Sequence, residues 1–192
     1  MIALVAGFDA YVIWRTAALQ TFLVGAVVGI LALIYLGVNH PLGLIWRSLP
    51  AKELAIGILF AAGTIVALLP TFPVTAEFAL AALSFAALCS LNCISIAVWE
   101  RDLDRSQGKV SLATRHPDIA RHVVKICAGV AVVVLSFSIA LRQVALIFVC
   151  VGMSVSLLAW LNKRRFFGTD ERTALADLVL LTPIVVLVVS AL

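Results

Sequence analysis

The chain reads as a succession of long apolar runs, each ended by charge, Pro or Gly. Runs at Ala17–Val38, Glu53–Leu69, Val74–Val98, Ala120–Leu141, Val144–Leu161 and Thr173–Leu192 are close to the roughly 20 residues that a helix needs to cross a bilayer. The N-terminal stretch MIALVAGFDAYVIW, residues 1–14, is apolar from its first residue, lacks a basic n-region and contains Asp9, so it reads as the back half of a helix rather than a cleavable signal. The pattern predicts an all-α polytopic membrane protein: a single domain over residues 1–192 with about seven transmembrane helices. A charged loop at 99–119 stands out, because the other connections are minimal.

Orientation follows from the basic residues. If successive runs cross in alternate directions, Arg15 and Arg142 share one side, and 12 of the 14 Lys and Arg collect on the other, in the loops 39–52, 99–119 and 162–172 and at their edges. By the positive-inside rule those three loops are cytoplasmic, in a bacterial-type inner or plasma membrane. Trp46, Trp99 and Trp160 fall near the same ends of their helices and Trp14 near the opposite one, as interfacial anchors do.

Composition agrees. Of the 192 residues 64% are hydrophobic and 12% charged, and mean hydropathy is +1.16, which excludes an ordinary soluble domain. The net charge of +4 is accounted for by the orienting loops, so no nucleic-acid partner is expected. Cys89, Cys93, Cys127 and Cys150 all lie in apolar runs, where they read as small buried hydrophobes. Gly25 and Gly29 form a small-xxx-small pair suited to close helix approach, and Pro183 beside Thr182 predicts a kink in the last run.

Chemistry is concentrated in the segment WERDLDRSQGKVSLATRHPD. If the helix of the run Val74–Val98 continues past the membrane, Glu100 and Asp104 stack at i and i+4, as do Arg101 and Arg105. Two carboxylates at that spacing repel unless a cation lies between them, and Mg²⁺ held by one or two carboxylates plus phosphate oxygens relieves this, with Arg105 and Lys109 gripping the same phosphates. The alternative is a solvated helix end in which Arg101 pairs with Asp104 and Asp102 with Arg105 at i, i+3. Asn92 lies on the Glu100 stripe two turns earlier, where it either lines a cavity or hydrogen-bonds a neighbouring helix. Asp9, Glu77 and Asp177 are carboxylates within apolar runs and so functional candidates, or else lie close enough to an interface to be wet. His116-Pro117-Asp118 opens the next helix.

This segment resembles the second aspartate-rich motif of the UbiA superfamily of intramembrane prenyltransferases, D-x-x-x-D followed by R-x-x-G-K-x-[ST]-L-A. Glu100 and Asp104 stand at the carboxylate positions, and Arg105, Gly108, Lys109, Ser111, Leu112 and Ala113 follow in order. The resemblance implies a UbiA-like helical bundle in which the chain corresponds to the final seven helices and lacks the first two. It implies Mg²⁺ as cofactor, Glu100 and Asp104 as metal ligands, and Arg105 and Lys109 as diphosphate contacts. The activity implied is transfer of a prenyl group from a prenyl diphosphate to an aromatic or quinone-precursor acceptor. The superfamily's first motif, N-x-x-x-D-x-x-x-D, has no counterpart, since Asn39 and Asn162 have no acidic residue four positions on, so the chain itself is expected to be incomplete or inactive. The contrasting class is a noncatalytic membrane protein: a scaffold, a lipid-binding protein or a small transporter. A lipid-head-group transferase of the CDP-alcohol type is excluded because its Asp-Gly signature is missing.

Overall fold

A computed structural model describes residues 19–39, 52–66, 68–69, 74–164 and 168–181. Among these residues the protein is all-helical, with α1 (Leu19–Asn39), α2 (Lys52–Val66), α3 (Ala76–Trp99), α4 (Arg101–Ser106), α5 (Leu112–Arg115), α6 (Ile119–Ala140), α7 (Ala145–Lys163) and α8 (Thr169–Val179). Three of them, α3, α6 and α7, are long and apolar enough to cross a membrane.

Helix α3 is the hub. Thr75 opens it by accepting the Phe78 N–H at 3.1 Å, and the helix then runs 24 residues without Pro or Gly. Its middle is rich in Ser, Cys and Ala, and the consecutive residues Leu88 to Asn92 are all buried, so neighbours close on it from every side. It touches α2, α5, α6, α7 and α8. Against α2 the approach is at backbone level: a Cβ added to Gly57 would lie 2.4 Å from the Ser90 backbone nitrogen, which reserves that position for Gly. Helices α6 and α7 form a hairpin through a 3₁₀ turn at Arg142–Val144. Gly152 accommodates Leu135 there, and the Phe137 and Phe148 rings meet at 5.6 Å.

Polarity is inverted relative to a water-soluble bundle. Ile139 and Val132 on the outside are 81% and 65% exposed, whereas Glu53 and Asn92 are each 4% exposed and Ser95 and Ser154 are fully buried. An apolar exterior around polar interior contacts is what a hydrocarbon solvent selects.

The expected spans at 17–38, 74–98, 120–141 and 144–161 correspond closely to α1, α3, α6 and α7. The run at 53–69 is shorter as a helix: α2 has 15 residues, about 22 Å at 1.5 Å each, against a hydrocarbon core of about 30 Å. The last expected span, 173–192, begins earlier, at Thr169, where the Gly168 N–H on the Glu171 carboxylate at 3.1 Å caps the start, and its helix ends at Val179 in a turn at Leu180 and Leu181 rather than running on unbroken. The expected helix at 1–14, the body of the loop 39–52, Trp14, Trp46 and the Thr182–Pro183 kink lie outside the described residues. Among the described residues the Gly25–Gly29 pair makes no close approach: a Cβ on Gly25 would sit 3.5 Å from Val66, an ordinary contact, and one on Gly29 would meet nothing within 4 Å. Gly57 and Gly152 carry that role instead, because they face Ser90 and Leu135 at tight crossings.

Candidate functional site

The 99–119 segment is folded. Helix α3 ends at Trp99, and Glu100 joins it to α4 with φ −90° and ψ 7°, a small break that leaves the helical bonding running through: the Glu100 N–H donates to Ile96 O at 2.9 Å and Asp104 N–H to Glu100 O at 2.8 Å. Glu100 and Asp104 are therefore one turn apart on a nearly continuous helical path, as the sequence predicts. The α4 end is closed by Gly108, whose φ of +65° turns the chain back, and by the Lys109 N–H on Asp104 O at 2.8 Å.

Beyond this turn the chain is fastened down. Ser111 and Thr114 form a reciprocal capping box at the head of α5, with Thr114 Oγ1 accepting the Ser111 N–H at 2.8 Å. Leu112 N–H donates to Glu53 Oε1 at 2.9 Å, linking the loop to the buried first turn of α2. Ala113 is 1% exposed, so a larger side chain has no room there. Gly108, Ser111, Leu112 and Ala113 thus all have structural duties.

The charged members of the same motif do not. Among the described residues the ion pairs are Arg101 with Asp102 at 3.4 Å and Arg121 with Asp118 at 3.6 Å, all local and at the surface. The i, i+3 pairs Arg101–Asp104 and Asp102–Arg105 are not formed. Asp104, Arg105 and Lys109 enter no ion pair, with the Asp104 side chain half-buried and Arg105 and Lys109 exposed. Glu100 accepts only a long hydroxyl contact from Thr173 at 3.4 Å.

Two carboxylates one turn apart, without cationic partners, offer the hard oxygen donors that suit Mg²⁺ when water and phosphate oxygens complete its shell. No group of three or more His, Cys, Asp or Glu side chains able to hold a metal occurs among the described residues, so a dedicated all-protein cage is not what these residues build.

Asn92 joins α3 to α8: its Nδ2 donates to Asp177 Oδ1 at 3.5 Å, while its Oδ1 is buried without a partner. Glu100 and Thr173 continue this seam toward the loop. On the next face of α3, Ser95 Oγ accepts from Asn162 Nδ2 of α7 at 2.8 Å. Cys93 lies within electrostatic reach of both Glu53 and Asp177. Three residues of this region were not singled out by sequence: Glu53, whose second oxygen Oε2 is buried without a partner, Thr173, and Arg172, whose Nε is buried and unpartnered. The signal for Glu53 is weak but real, since an acidic residue in the first turn of an apolar helix is free to cap a neighbouring backbone.

Fold and site together define an all-helical protein with helices fit to cross a membrane and a charged, folded connection between two of them. The chain matches no family model, and comparison with curated proteins and with solved structures finds no match.

Proposed function

We propose that the chain is a multi-pass membrane protein of the UbiA-like prenyltransferase superfamily whose 99–119 segment binds the diphosphate of a prenyl diphosphate together with Mg²⁺. In this reading about seven helices cross a bacterial-type inner membrane, and the loops 39–52, 99–119 and 162–172 are cytoplasmic. The observation that carries it is the division of the motif: Gly108, Ser111, Leu112 and Ala113 shape the loop, and Glu100, Asp104, Arg105 and Lys109 are left without ion-pair partners.

Glu100 and Asp104 would hold Mg²⁺, which when bound neutralises charge on the leaving diphosphate. Lys109 and Arg105 bind the phosphate oxygens directly, Arg105 with a planar fork and Lys109 as a point charge. The Gly108 turn brings the Lys109 backbone back onto α4 by tying its N–H to Asp104 O. Glu100, half-buried, accepts from the Thr173 hydroxyl at 3.4 Å, which ties the start of the segment to α8. In the superfamily reaction the allylic C–O bond breaks with its electron pair leaving on the diphosphate, and an aromatic or quinone-precursor acceptor takes the carbocation and loses a proton. Residues 1–192 carry one acidic motif, and binding rather than turnover is the property assigned to them.

The test is equilibrium binding of farnesyl diphosphate to the purified protein in nanodiscs. Binding is expected to need Mg²⁺ and to be lost in EDTA. Replacing Glu100→Gln together with Asp104→Asn should weaken it by about tenfold or more, the value of a charge-assisted contact. Binding that is unaffected by both treatments would move the chain to the noncatalytic class, with 99–119 as a structural connector.

A further inference from the structure

Helices α3 and α6 part along one side of the bundle, leaving an open trough of about 450 Å³. Ser84 and Ala87 line it from α3, and Gly129, Val133 and Phe137 from α6. The Ser84 hydroxyl is turned onto its own helix, donating to Leu80 O at 2.9 Å, so the trough wall is effectively apolar. Gly129 keeps the floor open, since a Cβ there would meet nothing within 4 Å. At one end stands Lys125, exposed and the single charged residue of the lining, with Arg121 and His122 exposed one turn nearer the 99–119 segment.

Dimensions limit what can lie there. From Lys125 to Phe137 the trough follows α6 for about 18 Å, close to half of a hydrocarbon core of about 30 Å, so it is about one leaflet deep. The trough is open along its length, so an occupant lies in it with one side facing the bilayer. A single hydrocarbon chain one leaflet long matches that length. A cation at the mouth of a one-leaflet apolar trough also defines the head group, because basic residues at that depth recruit anionic lipid. Arg121 is shared with Asp118 at 3.6 Å, which leaves Lys125 as the principal contact.

We propose that this trough is a binding site for one anionic phospholipid of the leaflet on the 99–119 side, with an acyl chain along Gly129 and Val133 and its phosphate on Lys125. The inference rests on the placement of α3 and α6 in a membrane and is independent of the prenyl diphosphate reading.

Native mass spectrometry of the full chain, titrated with phosphatidylglycerol and with phosphatidylcholine, tests it. The expected result is one phosphatidylglycerol retained in preference to phosphatidylcholine. Lys125→Gln, a surface change, should lower phosphatidylglycerol affinity about fivefold, the effect of one cation near a membrane surface, and remove the preference. Gly129→Phe should abolish retention of both lipids, and Glu100→Gln with Asp104→Asn should leave retention unchanged. Equal retention of the two lipids, an unaltered phosphatidylglycerol affinity in Lys125→Gln, or a wild-type dimer that Gly129→Phe dissociates would each overturn the proposal.

Discussion

The front of the 99–119 segment, Glu100 to Lys109, and its back, Ser111 to Arg115, are made of opposite materials. The back has a capping box, a backbone N–H anchored on buried Glu53, and Ala113 sealed at 1% exposure. The front is a single short helix with no buried residue, and apart from one surface pair its charges go unanswered. The contrast teaches that one half is scaffold and the other half is presented by it.

Substitutions separate the two halves by the kind of effect they have. The largest change in stability is expected from Glu53→Leu, which leaves the Leu112 N–H without its acceptor and should cost about 2 kcal/mol in a denaturant titration. Ser111→Ala removes one arm of the capping box and should cost about 1 kcal/mol by the same titration, with weaker diphosphate binding only as far as the turn loosens. Lys109→Gln should change stability by less than about 0.5 kcal/mol, as an exposed side chain without a partner, yet weaken farnesyl diphosphate about tenfold. A Lys109→Gln variant that loses stability and keeps binding would reverse the assignment of the two halves.

Much of this architecture was legible along the chain because hydrophobicity over a span is a local property. The runs that became α1, α3, α6 and α7 needed no knowledge of their neighbours. Glu100 and Asp104 were legible for the same reason, since a one-turn spacing is fixed by the helix itself. What escaped depends on partners distant in sequence. Glu53 borders an apolar run and reads as its first residue, and only the bond to Leu112, 59 positions away, reveals it as the anchor of the loop. Asn92 left two readings open until Asp177, 85 positions on, took its amide. Close packing was misplaced onto Gly25 and Gly29 because small-residue spacing marks a possible contact face, whereas the Gly57 contact is set by which helix lies opposite. The length of α2 escaped as well: apolarity extends to Leu69, but the helix stops at Val66 and the chain turns at Leu68 and Leu69.

Hydrogen exchange of the amides in 100–109 and 111–115, with and without Mg²⁺ and farnesyl diphosphate, tests the division most directly. The account predicts slow exchange at the back of the segment in both conditions, and fast exchange at the front that slows when metal and ligand are added together. A front half whose exchange is unchanged by the ligand, or is already as slow as the back without it, would contradict a presented binding site and leave the whole segment as scaffold.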